Sequence, residues 1–427
     1  MKPRNVLVFP AGTEIGLEIH AALKDLKEVR LFAAGQAVAN HAELLYGAYH
    51  PIPAITEPGW MDALAALCRK LEIDYVFPAY DDVIVALAEA REQLPAKLIA
   101  PSLAACVLTR SKSLTYDALQ DVVRVPRRYR NADAVRHFPV FVKPDRGQGS
   151  FATTLVHDRP ALDAALASTP APLICEYLPG EEFTVDCFSD REQGLLFAGA
   201  RVRRRMRNGI AVNTKSVALP EIQGLAAAIG DKLGLHGAWF FQVKRAAGGE
   251  LALLEVAPRI AGSMATHRVQ GVNFPMLAIY EEERAPISVL LNPGAVELDR
   301  ALGNRYLHTV HFDTLYLDLD DTLILRGKVN TELVQLVFHC INHGKRVVLI
   351  TRHEADLQQT LKRHRLARLF DQVIHLPRSE KKSDHVSDPS AIFIDDSFAE
   401  RLDVSRARGI PTFDCSMVEL LNNSFVD

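Results

Sequence analysis

Two acids spaced by two residues at the end of an apolar run form the sharpest local signal in this sequence: Tyr316-Leu317-Asp318-Leu319-Asp320-Asp321-Thr322. On a strand, alternate residues face the same way, so Asp318 and Asp320 present both carboxylates to one side. Like charges side by side are unfavourable unless a cation accompanies them. Three later places supply matching chemistry. Thr351 ends the run Val347–Ile350, Lys381 and Lys382 follow a helical segment, and Asp395 and Asp396 close Ile392-Phe393-Ile394. Solvated caps at strand ends are the plainer reading of such acids, and the number and order of the partners speak against it.

A second constellation lies upstream. Phe138-Pro-Val-Phe-Val-Lys143 delivers a lysine to the turn Pro-Asp-Arg-Gly147-Gln-Gly149-Ser150, where free N–H groups and an ammonium can hold a polyphosphate. An ordinary hairpin has the same look, but further pieces stand around this one in order. They are Ser111-Lys112, then Glu176-Tyr177-Leu178 with Glu182, then Gln242, and then Glu255 with Ala257-Pro258-Arg259. In Arg201-Val-Arg203-Arg204-Arg205-Met-Arg207, the period of a strand puts Arg201, Arg203, Arg205 and Arg207 on one face. That face is either a cationic wall for phosphates or an acidic substrate, or a charged edge. Asn213, Ser263 and His267 are weaker candidates for the same pocket.

The elements that must position these residues are α/β throughout. Strands at Val6–Phe9, Val29–Ala33, Tyr75–Pro78 and Leu98–Ala100 alternate with helices at Ile15–Leu26 and Met61–Leu71, which predicts a doubly wound domain. Gly12 and Gly16 mark its first turn, but they make only part of a dinucleotide fingerprint. From Val125 onward the language is antiparallel or mixed strands, with a helix at Ile222–Leu233. The stretch Ala285–Asn304, with Pro286, Pro293 and Gly294, reads as a module end. After His308 the βα rhythm returns, and between Thr322 and Thr351 there is room for one helix and no cap domain. The expected domains are 1–108, 109–307 and 308–427.

Over residues 5–305 the order of motifs resembles the ATP-grasp superfamily, in particular its carbamoyl-phosphate-synthetase-like carboxylate ligases. The resemblance implies a doubly wound domain followed by an α+β ATP-grasp fold. Lys112 and Lys143 would contact the nucleotide phosphates, with the loop Gly147, Gly149 and Ser150 closing over them and Arg203 beside them. Glu176 and the backbone of Tyr177 and Leu178 would meet adenine, and Glu182 the ribose. Gln242 and Glu255 would carry Mg²⁺ (Mn²⁺ being the alternative ion), and Arg259 would neutralise the transferred phosphoryl group. One departure stands out: the family pattern Glu-x-Asn-Pro-Arg reads Glu255-Val-Ala257-Pro-Arg259 here, and alanine has no side-chain oxygen for a metal. Over residues 312–427 the motifs resemble the haloacid-dehalogenase superfamily, which implies a Rossmann-like, uncapped phosphatase. In that resemblance Asp318 is the nucleophile and Asp320 the general acid/base. Thr351 binds phosphoryl oxygens, Lys381 or Lys382 balances charge, and Asp395 and Asp396 join Asp318 and Asp320 at Mg²⁺.

The bulk composition fits two or three soluble domains: 427 residues, 48% hydrophobic and 24% charged. A formal net charge of −3 gives no electrostatic reason to expect nucleic acid or an anionic membrane. The six cysteines are scattered without paired spacing, which argues against zinc or a disulfide framework and for a cytoplasmic setting. The expectation is an ATP-dependent, ADP-forming carboxylate–amine (or similar) ligase coupled to a Mg²⁺-dependent phosphatase. Its partners would be a small carboxylate, an amine or other nucleophile, and a phosphorylated metabolite; a homodimer is compatible with it. The alternative is a phosphatase whose ATP-grasp portion only senses nucleotide.

Overall fold

The computed structural model describes residues 2–147, 149, 151–207, 210–306 and 308–422, and element counts refer to these. The chain divides into two compact units, Met1–Leu302 and Gly303–Asp427; the segments read as 1–108 and 109–307 both fall in the first, apart from its last few residues. No helix of the described residues is long and apolar enough to cross a membrane.

Unit 1 begins with a five-stranded parallel sheet. Its strands are β1 (Arg4–Phe9), β2 (Val29–Gly35), β3 (Tyr49–Pro51), β4 (Tyr75–Pro78) and β5 (Lys97–Leu98), in the order β3-β2-β1-β4-β5. In β1, Val6 and Val8 join one core and Leu7 and Phe9 another. Covering both faces is why this strand reads as an unbroken apolar run. The order reverses at β1, so a crevice opens beyond the carboxyl ends of β1 and β4. Gly16 is required there: a Cβ would lie 2.2 Å from the Ala11 carbonyl oxygen.

Two antiparallel sheets follow. The first holds β6 (Arg128–Tyr129), β7 (Val140–Pro144), β8 (Thr154–Val156) and β9 (Pro172–Glu176) in the order β6-β9-β7-β8, with the helix Arg159–Ser168 packed against it. The second holds β10 (Glu182–Asp190), β11 (Gly194–Arg207), β12 (Ile210–Val217), β13 (Gly237–Arg245), β14 (Leu251–Ala257) and β15 (Glu297–Asp299), in the order β14-β13-β10-β11-β12-β15. Phe241 and Val243 pack with Trp239 and the helix Ile222–Leu233. Gln242, between them, faces the opposite side, as the pleat requires.

Unit 2 is a second parallel sheet. Its strands are β16 (Thr314–Leu317), β19 (Arg346–Thr351), β20 (Gln372–His375), β21 (Ala391–Ile394) and β22 (Thr412–Phe413), in the order β20-β19-β16-β21-β22. A hairpin of β17 (Ile324–Leu325) and β18 (Lys328–Val329) precedes the helix Thr331–Asn342, an element the one-helix reading lacked. In register, Leu317 lies opposite Leu349 and Ile394 on the flanking strands. Asp318, Thr351 and Asp395 therefore emerge together at the carboxyl edge, where sheets of this kind bind ligands.

Candidate active sites

In unit 1 a pocket of about 150 Å³ is lined by Lys112, Lys143, Gly147, Gly149, Glu176, Tyr177, Leu178, Glu182, Arg203, Gln242, Lys244 and Glu255, among others. It gathers residues from β7, β9, β10, β11, β13 and β14. Gln242 and Glu255 are cross-strand partners in the β13–β14 ladder, so an amide oxygen and a carboxylate share one spot. Lys143 is buried, and its ammonium donates to the Tyr116 hydroxyl at 2.6 Å, which in turn donates to the Leu254 carbonyl at 2.6 Å. Burial pushes the Lys143 ammonium below its usual range, with Cys175 and Glu255 pulling the other way. Burial does the same to Lys112, again opposed by Glu255; its Nζ donates to the Gly147 carbonyl at 3.3 Å.

Several predicted residues have partners within the protein. The Glu176 carboxylate accepts from Arg124 at 3.1 Å and from the Arg127 N–H at 3.0 Å. Glu182 is paired with Arg203, whose Nη1 also donates to Gln242 Oε1 at 3.1 Å. Ser150 lies outside the described residues. The four-arginine face is not formed, because the β11–β12 ladder shifts register between Arg203 and Met206. Arg201 turns inward to a buried pair with Asp186 at 2.9 Å, while Arg205 reaches Asp299 at 2.7 Å. His267 is structural, with its Nδ1 2.8 Å from Asp186. Asn213 donates to Glu297 and Asp299.

Beside the pocket, a cleft of about 930 Å³ shares Gly147, Gly149, Arg203, Gln242 and Glu255 with it and continues along Gly12, Thr13, Asp81, Arg259 and Ser263. Arg259 is held by Asp81, with Nε and Nη2 at 2.6 and 3.0 Å from its two oxygens. Burial works against the Asp81 charge, yet Arg259 outweighs it and keeps the carboxyl below its usual range. Sequence reading missed Asp81, although an acid just after strand β4, at the edge where the sheet order reverses, was a usable signal. Nothing in the sequence pointed to Tyr116.

Residues 6–101 match the family described as PylC-like, N-terminal domain, and residues 168–290 match ATP-grasp in the biosynthetic pathway with Ter operon. Biotin carboxylase of Campylobacter jejuni, solved with β,γ-ATP, superposes with a TM-score of 0.57 at 19% identity, covering 69% of this chain and 74% of that one. An L-amino acid ligase from Bacillus licheniformis gives 0.54 at 18% identity, covering 67% and 76%. Unit 1 has the ATP-grasp fold. In sequence the chain is similar to a D-alanine–D-alanine ligase of Fusobacterium nucleatum, 29% identical over 93 residues. That match spans 22% of this chain and 32% of the ligase.

In unit 2, Lys382 is buried and donates to Asp318 and to Asp395, at 2.6 Å each. Lys381 instead points outward to Asp403 at 3.1 Å; adjacent residues at the start of a helix point apart, so only one of the two can reach the carboxylates. Asp318, Asp395 and Asp396 can bring oxygens within 4.8 Å of one another. The Asp320 carboxylate is outside that group and sits 2.9 Å from Nδ1 of His353, a residue the sequence reading did not single out. Burial raises the Asp318 carboxyl to about 6, with Lys382 opposing the shift and Asp395 adding to it. Two buried carboxylates thus share one ammonium and still lack positive charge. The Thr351 hydroxyl is buried with no hydrogen-bond partner among the described residues.

Proposed function

We propose that unit 1 is an ATP-dependent, ADP-forming ligase that activates a carboxylate and passes it to an amine or a similar nucleophile. The carrying observation is the convergence of Lys112, Lys143, Arg203, Gln242 and Glu255, from distant parts of the chain, on one pocket. In this reading the carboxylate oxygen attacks the γ-phosphorus and ADP leaves. The nucleophile then adds to the acyl carbon and phosphate departs. Phosphoryl transfer is mostly positioning and charge stabilisation. Lys112 and Lys143 neutralise the phosphates, and Arg259 faces the developing charge from the cleft. Glu255 and the Gln242 oxygen fit one Mg²⁺, which commonly takes only one or two protein ligands and the rest from phosphate and water; when bound, the ion offsets charge on the phosphates. ADP release from ATP, screened against pooled amino acids and metabolic acids, tests the reading. Glu255→Gln is expected to abolish it while the fold persists. Nucleotide binding without any acid-dependent ADP would favour the sensing alternative, which the missing oxygen at Ala257 keeps in play.

We also propose that unit 2 is a phosphatase of haloacid-dehalogenase type. Its support is the unpartnered Thr351 hydroxyl beside the Lys382-bridged pair Asp318 and Asp395. A phosphoryl oxygen would satisfy that hydroxyl, and the under-neutralised Asp318, Asp395 and Asp396 fit a divalent ion that would supply the missing positive charge. Asp318 attacks phosphorus and forms an aspartyl phosphate, while Asp320 protonates the leaving oxygen and then takes a proton from the hydrolytic water. Release of p-nitrophenol from its phosphate ester should vanish in Asp318→Asn, with acid-dependent ADP formation intact. Equal ester hydrolysis by that variant would refute the assignment.

A further inference from the structure

The two centres differ in what they offer a metal. Unit 2 brings three carboxylates together, and this is the one group of three such donors among the described residues. Of the three carboxylates that line the pocket of unit 1, Glu176 is held by Arg124 and the Arg127 N–H, and Glu182 by Arg203 and Lys244; that leaves Glu255 and the amide oxygen of Gln242 as donors. Ala257 follows Glu255 by two positions on β14 and therefore faces the same way, but it ends in a methyl group and is buried. The Gln242 oxygen is also partly spoken for, because it accepts from Arg203 Nη1 at 3.1 Å. A dication brought to that side of Gln242 would meet the guanidinium, a like charge in a place poorly screened by water. Lys112 and Lys143 line the same pocket. The donor set is too thin for two ions, and fixed side-chain cations are plentiful.

We infer that unit 1 takes a nucleoside triphosphate with a single divalent ion, and that Arg203 supplies the positive charge a second ion would bring. This rests on the ATP-grasp reading of the pocket. Arg203 suits the task because a guanidinium stays charged at any working pH and presents several N–H donors to phosphate oxygens. Its contacts with Glu182 and Gln242 hold it at the pocket wall before nucleotide arrives.

The test counts ions rather than turnover, so the unknown carboxylate is not needed. The full chain carrying Asp395→Asn, which disables the carboxylate group of unit 2, is titrated with Mn²⁺ and the β,γ-imido analogue of ATP. Bound Mn²⁺ is read by electron paramagnetic resonance. One Mn²⁺ per bound nucleotide is expected, and two would overturn the inference. On the same background, Gln242→Glu combined with Ala257→Asn should admit a second Mn²⁺. Should that pair misfold, Ala257→Asn alone serves, since it restores the missing oxygen, and a count that stays at one overturns the donor-set argument. Arg203→Met should weaken the analogue at least tenfold at saturating Mn²⁺, and unchanged affinity would remove Arg203 from the role. Failure of the wild-type chain to bind the analogue at all would be a different result, overturning the ATP site itself.

Discussion

Asp81 grips Arg259 side-on across 178 residues of sequence, accepting from Nε at 2.6 Å and from Nη2 at 3.0 Å. Nη1 donates to the Ile260 carbonyl at 3.1 Å, and the guanidinium lies 5.1 Å from the centre of the Phe240 ring. A side-on grip uses one edge of the guanidinium and leaves one N–H on each Nη for a ligand in the cleft. Asp81 is the first residue of the helix Asp81–Glu89, which follows β4 of the first sheet of unit 1. The start of that helix thereby aims a charged group of the proposed ATP centre.

Asp81→Asn should therefore separate binding from stability. The amide offers one acceptor oxygen and turns an NH₂ toward the guanidinium, leaving a mostly buried cation without its counter-charge. Losing one partner of a buried pair costs roughly 3–5 kcal/mol, and the slight exposure here puts the loss toward the lower end. Urea unfolding should show it. Binding of the imido analogue should survive, since Lys143, Glu176, Gln242 and Glu255 sit on strands of the two antiparallel sheets. An unchanged urea midpoint, or lost nucleotide binding, would contradict this account of the pair.

Lys382 and Lys381 should behave as opposites. Lys382→Met takes from Asp318 and Asp395 the ammonium they share, and hydrolysis of p-nitrophenyl phosphate should fall by roughly 10²–10³, the scale of removing one preorganised charge-stabilising donor. Lys381→Met breaks an exposed pair with Asp403, a contact worth at most about 1 kcal/mol, and should leave the rate nearly unchanged. Equal effects of the two substitutions would mean that the buried contacts do not matter for turnover.

The strands that carry the site were legible because their burial leaves periodic apolar runs ending in chemistry. Val6–Phe9 is covered on both faces and Tyr316–Leu317 leads straight into Asp318, so local pattern and global fold agree there. What the sequence hid depends on partners far away in the chain. The register shift in β11 follows from pairing with β12, and it parts Arg201 from Arg205 in a way no two-residue period reveals. The choice between Lys381 and Lys382 depends on which one the start of the helix Lys382–His385 turns inward. β3 spans three residues and carries no alternation to read.

Thr351→Val should trade activity for stability. The hydroxyl is buried and unpartnered, and an unsatisfied buried polar group costs about 1–3 kcal/mol. Valine keeps the branched shape that suits β19, so the unliganded protein should unfold at the same or a slightly higher temperature. Phosphatase turnover should drop, because the hydroxyl that would meet a phosphoryl oxygen is gone. Lower stability in calorimetry together with intact turnover would show that the hydroxyl serves the fold and not a ligand.

The acid limit of unit 1 should trace in part to Glu281. Its side chain is buried, and burial alone would raise its carboxyl. Hydrogen bonds from His236 and Arg191 outweigh that and hold it at about 2. A carboxyl whose folded value lies below its unfolded one, near 4.5, binds its proton more readily in the unfolded chain. Its contribution is therefore complete above about pH 4.5 and is lost as the pH falls toward 2. The shift corresponds to a contribution on the order of 3 kcal/mol. Glu281→Gln cannot titrate, so it should be less stable than wild type at pH 7, and the gap should narrow steadily between pH 5 and 2.5. Urea midpoints for both proteins across that range measure it. A gap that stays constant with pH would show that Glu281 is not ionised in the folded protein or is not held by Arg191 and His236.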